Sequence, residues 1–159
     1  MLYEIGDKIF YPMHGAGIIE SIEENEILGE VRKYYVLKMP LGTMKLMVPV
    51  NNAEELGLRD VADSGVMPKV IDHIEIHRSQ TNINWNKRQR ENLAKLRSGD
   101  IFEAADVYKF LICREKDRSL STGEKKMLLS AKQILFSELL LSTGIELDEL
   151  QDLIDQAIS

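Results

Sequence analysis

The chain contains one tryptophan, Trp85, and three cations follow it within five residues: Lys87, Arg88 and Arg90. This combination suits nucleic acid, because cations neutralise phosphates while an aromatic ring stacks on bases or wedges between them. Charges at this density must also stay in water or meet an anion, since burying an unpaired charge is costly. The segment 81–92 is therefore the first candidate for a binding surface.

A structural role for Trp85 is the competing interpretation. On a helix that begins near residue 84, the ring shares one face with Gln89, Leu93 and Leu96. By periodicity alone, this spacing favours a core position for Trp85, with the neighbouring cations on other faces. The residues themselves leave both interpretations open.

Other residue clusters give little support to catalysis or to a metal site. His73 and His77 stand four residues apart beside Asp72 and Glu75, but a zinc site needs three or four ligands and supporting partners. The sequence holds no matching Cys/His pair and no nucleophile–base–acid set, so we interpret these histidines as surface residues near a helix start. We expect no enzyme activity, no metal and no cofactor.

Cysteine usage and hydropathy indicate the cellular compartment in which the protein functions. The single cysteine, Cys113, cannot form an internal disulfide and lies in an apolar pattern. No apolar run approaches the ~20 residues that span a bilayer, and the first ten residues do not resemble a signal peptide. We expect a cytoplasmic protein without a membrane partner.

Charge is unevenly distributed along the chain, whose formal net charge is −6. Residues 1–60 carry 6 basic and 10 acidic side chains, residues 69–132 carry 14 and 9, and residues 133–159 carry no basic and 6 acidic ones. A basic middle in an acidic protein indicates a local anionic partner, although solvated helix faces would show the same composition.

The period of the apolar residues divides the chain in two. Up to about residue 60, short stretches rich in β-branched and aromatic residues alternate with glycine turns, and a segment ending at Gly57 predicts one helical turn before a last strand. Beyond residue 68 the period is helical. The fold class is therefore α+β, with an SH3- or Tudor-like β-barrel over 1–62 and a compact all-α domain of four to five helices over 68–159. We expect the two parts to fold independently, with a small surface between them.

Three helix starts are predicted from capping boxes, in which an N-cap side chain and a glutamate three residues later satisfy free backbone groups. The predicted pairs are Asp100 with Glu103, Ser121 with Glu124, and Thr143 with Glu146.

Several blocks occur in a recognisable order: GDKIFYPMHGAG over 6–17, VPVNNAEELGLR over 48–59, NWNKRQRENLAKLRSGD over 84–100, and LSTGEKKMLLSAKQILFSELLL over 120–141. In this order they resemble the CarD/CdnL family of bacterial transcription regulators, over roughly residues 1–141. The resemblance implies an N-terminal domain like that of the transcription-repair coupling factor, which docks on the RNA polymerase β subunit by pairing strand edges. It also implies a helical domain that contacts promoter DNA at the upstream edge of the transcription bubble.

The resemblance assigns roles to two sets of residues. DNA contact falls on Trp85 as a minor-groove wedge and on the cations Lys87, Arg88, Arg90, Lys125 and Lys126. Polymerase contact falls on Asn25, Lys45, Met47 and Pro49. Several relatives carry arginine where Met47 stands and a basic residue where Asn25 stands, so docking here rests less on charge.

The function implied is a non-enzymatic transcription regulator, a monomer in its complex, that stabilises the promoter open complex. The alternative is a protein-interaction adaptor whose helical domain is purely structural and buries Trp85.

Overall fold

The computed structural model describes residues 2–76 and 85–159, with Trp85 and Asn86 described by their backbone alone. Its N-terminal part is a five-stranded antiparallel sheet with strand order β4-β3-β2-β1-β5. The strands are β1 (Lys8–Tyr11), β2 (Gly15–Ile27), β3 (Glu30–Lys38), β4 (Lys45–Pro49) and β5 (Arg59–Asp60). A single 3-10 turn, Val50–Asn52, follows β4, and the chain turns again at Gly57 before β5. The predicted strands and the helical turn before the last one are therefore confirmed.

Alternation along the strands sorts side chains between the two faces of this sheet. One face carries a small apolar core of almost fully buried residues: Ile9, Ile19, Tyr35, Leu37, Met39, Val48 and Ala53. On β4 this places Leu46 and Val48 inward, whereas Lys45 and Met47 are exposed on the opposite face. The pairing of β2 with β3 shifts by one residue between Ile19 and Ser21, and this irregularity pairs both Ile19 and Ile22 of β2 with buried residues of β3.

In the residues that the structure describes, five helices follow the sheet: α1 (Val66–Ile76), α2 (Trp85–Arg97), α3 (Ile101–Asp117), α4 (Thr122–Thr143) and α5 (Leu147–Ile158). Helix α4 is the longest and packs against α3, α5 and strand β2. The α+β class with an N-terminal sheet domain and a helical C-terminal part is thus confirmed.

The three predicted helix starts fare differently. Ser121 and Glu124 form a complete capping box at α4, and Asp100 caps α3 by accepting a hydrogen bond from the Phe102 N–H at 2.8 Å. The prediction at Thr143 is wrong, because Thr143 is the last residue of α4, and Gly144, where φ is 76°, is the C-cap of that helix. Glu146 is the N-cap of α5 and makes no side-chain capping bond.

The larger apolar core belongs mainly to the helices, yet two residues of the sheet lie within it. Phe10 of β1 and Ala16 of β2 are fully buried together with Phe136 and Leu139 of α4. The Ala16 N–H donates to Ser137 Oγ at 2.8 Å inside this contact. Sheet and helices therefore share a core, and whether each half folds alone, as the predicted boundaries propose, stays a prediction.

Gly15 allows β2 to approach α4 this closely. A Cβ atom at this position would lie 2.6 Å from Ser137 Oγ and 3.1 Å from the Gln133 carbonyl oxygen. The backbone there also has a φ of 112°, which side chains other than glycine rarely adopt.

An ion pair at the same junction joins three parts of the chain. Both guanidinium ends of Arg59, in β5, donate to the carboxylate of Glu138, in α4, at 2.6 and 2.7 Å. Arg59 also donates to the Gly99 carbonyl between α2 and α3, and its guanidinium stacks on the Phe10 ring at 4.1 Å. Glu138 accepts a further hydrogen bond from the Ala62 N–H and is fully buried. This network fixes the angle between the sheet and the helices.

No single helix in the described ranges is long and apolar enough to cross a membrane. Among the helices of residues 2–76 and 85–159, only α4 and α5 together, bent by 118° at their junction, reach the required length and composition. Apolar residues of both helices belong to the larger core.

We predict that Arg59→Met lowers the free energy of unfolding by about 3 kcal/mol, because it leaves the Glu138 carboxylate buried without its cation. Chemical denaturation of the full chain measures the effect. The control Arg32→Met removes an exposed pair with Glu30 and should change stability by less than about 0.5 kcal/mol.

The double variant Arg59→Met/Glu138→Leu should recover part of the loss, since no buried charge then remains. Equal stability of Arg59→Met and wild type would show that the pair does not hold the junction.

Candidate nucleic-acid and polymerase interfaces

The first turns of α2 carry the cations that the sequence singles out, and the structure separates them. Lys87 and Arg90 are exposed, whereas only 8% of the surface of Arg88 is exposed to solvent. The side chain of Trp85 lies outside the described residues, so its role as a wedge stays a prediction. Two of the three predicted cations on α2 are thus placed where an anion can reach them.

Arg88 belongs to the buried face of α2. Its guanidinium lies over the Phe110 ring of α3 at 4.4 Å, and Asn92 and Leu96 continue the buried line at 2% and 1% exposure. Gln89 and Leu93, predicted to form the packed face, are half-buried beside this line. Arg88 Nε is enclosed and meets no hydrogen-bond partner in the described part of the chain. The contact with Phe110 positions the turn that carries Lys87 and Arg90, and DNA contact by Arg88 itself stays a prediction.

The start of α4 is held by a buried carboxylate. Glu124 accepts the Ser121 N–H at 2.9 Å to complete the capping box, and its other oxygen receives the Arg114 Nε–H of α3. Burial raises the pKa of Glu124, but the hydrogen bonds from Ser121 and the charge of Arg114 outweigh it, and the net pKa lies below its usual value. Glu124 therefore stays ionised and fixes α4 to α3.

Helices α2 and α4 meet beside these cations. A Cβ atom built on Gly123 would lie 3.3 Å from Gln89 Nε2, so the first turn of α4 touches α2 one residue before Arg90. Lys125 and Lys126, on the next residues of α4, are both exposed. The contact brings the turn of α2 that carries Arg90 next to the first turn of α4, which leads into Lys125 and Lys126, although Arg90 and Lys125 are 35 residues apart in sequence.

The histidine considered for a metal has a different partner. His73 is half-buried within α1, where Nε2 lies 2.7 Å from Asp106 Oδ1 and the ring packs edge-on against Phe102 at 5.3 Å. Its interpretation as a surface residue near a helix start is therefore wrong. His77 lies outside the described residues, and the described part of the chain contains no cluster suited to a metal ion.

Strand β4 forms one edge of the sheet and carries three of the four predicted polymerase contacts. Lys45 and Met47 are exposed, and Pro49 is half-buried at the strand end. Asn25, on β2, lies on the same face, where its side-chain nitrogen is 4.0 Å from the Met47 sulfur. Lys45 pairs with Glu20 at 2.8 Å, and hydrogen bonding to this partner raises the pKa of Lys45. The structure thus places all four residues on one face of the sheet, three of them on the edge strand β4.

The register between β3 and β4 determines which backbone N–H and C=O groups of β4 point toward the open edge of the sheet. The Met39 N–H donates to the Met44 carbonyl, so these two residues form a hydrogen-bonded pair. Hydrogen-bonded and non-hydrogen-bonded pairs alternate along the antiparallel β3–β4 ladder, and Lys45, Met47 and Pro49 fall in the non-hydrogen-bonded pairs. Lys45, Met47 and Pro49 therefore point their backbone groups away from β3, toward the open edge. The position of Pro49 agrees with this assignment, because proline has no N–H to give to the ladder.

The fold and these surfaces define a two-part protein: a Tudor-like sheet domain with an open strand edge, fixed to a helical domain with a local cationic surface. Residues 3–62 match the family model described as CarD-like/TRCF RID domain, and residues 69–155 match the model described as CarD, C-terminal domain. The chain is also 38% identical over 144 residues, 91% of this chain and 94% of the relative, to the Bacillus subtilis (strain 168) protein named "Putative transcription factor YdeB".

The chain belongs to the CarD family. It is therefore a transcription regulator of this type, and membership implies an interaction with RNA polymerase. The resemblance found in the sequence motifs is confirmed.

Sequence reasoning missed the contacts that join the surfaces. Arg59 and Glu138 are 79 residues apart and belong to different apolar patterns, so no local signal pairs them. Gln89 and Gly123 likewise meet only through the packing of α2 on α4. The one available signal was the isolated Glu138 in the apolar stretch ILFSELLL, because a charge on a buried helix face requires a partner.

We predict that Arg88→Ala destabilises the full chain by about 1–2 kcal/mol, because it removes both the packing of the stem and a desolvated cation–ring contact. Urea denaturation measures this. Arg90→Ala, an exposed neighbour on the same helix, is the matched control and should change stability by less than about 0.5 kcal/mol. Equal effects of the two substitutions would assign Arg88 to the solvent-exposed face instead.

Proposed function

We propose that this protein docks on the RNA polymerase β subunit through the β4 edge and stabilises the promoter open complex by contacting the upstream edge of the transcription bubble. The observation that carries the DNA contact is the packing of the first turn of α4, at Gly123, against Gln89 of α2, because the two helix segments that meet there both carry exposed cations in an otherwise acidic chain. This local positive charge suits the phosphates of DNA.

The docking contact is backbone pairing in this proposal. The outward N–H and C=O groups of Lys45 and Met47, with the C=O of Pro49, offer a short template that a strand of the β subunit extends. Asn25 and Met47 add an uncharged side-chain surface, and Lys45 adds a cation already held by Glu20. Docking then raises the local concentration of a helical surface whose own affinity for DNA is low.

Stabilisation follows from differential binding. A ligand shifts an equilibrium only by the difference in its affinity for the two states. Trp85 wedges into the minor groove where the strands separate, a contact that closed duplex does not offer, and the neighbouring cations hold the flanking phosphates. The open state therefore gains binding energy that the closed state lacks.

The Arg59–Glu138 junction gives these two contacts a fixed geometry. With the sheet seated on the polymerase, the angle at this junction determines where α2 and α4 meet the DNA. A loose junction would allow both contacts in turn but would weaken their simultaneous formation.

The adaptor alternative keeps the polymerase contact and assigns Trp85 to the core. The burial of Arg88 and Asn92 on α2 favours it, because part of this polar segment does have a structural role. The following substitution of Trp85 separates the two functions.

We predict that Trp85→Ala melts within a few degrees of wild type, still binds polymerase, and shortens the open-complex lifetime by about tenfold, as expected for the loss of one stacking contact. The matched control is Leu96→Ala on the same helix, which removes a fully buried side chain and costs about 2–5 kcal/mol. If Trp85→Ala lowers the melting temperature as much as Leu96→Ala does, the Trp85 ring is a core residue. An unchanged lifetime removes it from the mechanism.

We predict that Met47→Pro weakens binding to the polymerase β subunit by about tenfold, because it removes the outward N–H and leaves its acceptor unpaired. The sheet itself should remain stable, since no ladder hydrogen bond uses this group. Met47→Ala, which keeps the N–H, is the control and should bind more tightly than Met47→Pro. Identical binding by both variants would place the contact in the side chain or on another edge.

A further inference from the structure

Beyond the predicted DNA contacts Lys125 and Lys126, helix α4 carries two further residues at its surface, Leu129 and Lys132. Lys125, Leu129 and Lys132 follow one another at spacings of four and three residues and therefore share one helix face, with Lys126 beside them. Leu129 is 70% exposed, and Lys132 is half-buried with its ammonium 5.2 Å from the Phe136 ring centre. We call these four residues the α4 ridge.

The charge of this face is of one sign. Helix α4 contains two carboxylates, and both are buried: Glu124 is taken up by Arg114 and Glu138 by Arg59. Within the described part of the chain, none of the three ridge lysines forms an ion pair. The ridge is thus a cationic stripe with one exposed aliphatic side chain at its centre.

We propose that the α4 ridge binds the phosphodiester backbone of the duplex upstream of the bubble, with its lysines on phosphates and Leu129 against the sugar. The proposal rests on the function proposed above and adds Lys132 and Leu129 to the DNA surface.

Three features favour duplex backbone as the occupant. Lys125 and Lys132 are two helical turns, about 10.5 Å, apart along the axis, so they reach different phosphates of one strand. The ridge has no aromatic side chain, whereas single-stranded nucleic acid is bound by stacking on aromatic rings. Its cations continue directly from Lys125 and Lys126, beside the contact with α2.

Two DNA probes test this proposal on the full chain bound to RNA polymerase. One promoter fragment ends at the upstream edge of the bubble, and the other continues into upstream duplex. The affinity of the polymerase-bound protein for each promoter fragment is measured over a series of salt concentrations, for wild type, Lys132→Gln and Leu129→Ser. Lys116→Gln, an exposed lysine on α3, is the matched control for charge, and Leu153→Ser on α5 is the control for an exposed apolar side chain.

We expect Lys132→Gln to weaken binding to the longer probe about threefold to tenfold and to reduce its salt slope by about 1. Leu129→Ser should weaken the same complex without changing the slope. Neither substitution should alter binding to the shorter probe, and the controls should match wild type on both.

Equal losses on both probes would show that the ridge contacts polymerase, and would overturn the proposal. A loss for Lys125→Gln with none for Lys132→Gln would end the DNA surface at Lys125, leaving the proposed function intact. If Lys125→Gln and Trp85→Ala also bind and act like wild type, the proposed function itself fails.

Discussion

The bidentate pair between Arg59 and Glu138 is the contact on which the arrangement of this molecule depends. It joins the last strand of the sheet to the middle of α4, and the same guanidinium holds the loop between α2 and α3 through Gly99. A carboxylate that stays buried without such a partner is strongly destabilising, so the native contact between the sheet and α4 depends on this pair. Gly15 and Ser137 close the contact from the other side. The proposed polymerase and DNA surfaces are therefore carried by one framework.

Charge serves two separate purposes in the helical domain. Arg59, Arg88 and Arg114 are structural: each stacks on a ring or pairs with a buried carboxylate. The exposed lysines of α4 are held by no described ion pair, which leaves them available to an external anion. An acidic chain can thus present a local cationic face, because the carboxylates that would neutralise α4 are turned inward.

The sequence predicts local structure well where one segment contains the whole interaction. Strand alternation and the Ser121–Glu124 box are of this kind, and both are found in the structure. Thr143 shows the limit: its hydroxyl bonds back to the Leu139 carbonyl at 2.7 Å while α4 continues to Gly144, an alternative that the same residues allow. Arg88 and Glu138 could not be placed, since their partners lie on other helices and are selected by packing. The motifs identified the family, but the assignment of individual cations to the core or to the surface required the tertiary structure.

In the proposed function, one framework presents both surfaces, so that docking and DNA contact stabilise the open complex together. The most direct measurement is the open-complex lifetime at saturating protein for the unlocked variant Arg59→Met/Glu138→Leu, with a Gly-Ser insertion after Ala62 and a check that it remains folded. We expect this variant to bind the β subunit as wild type does. The open-complex lifetime with the variant should nevertheless be about tenfold shorter than with wild type, because the two contacts no longer form at a fixed distance. A lifetime equal to that of wild type, with both contacts intact, would contradict this proposal.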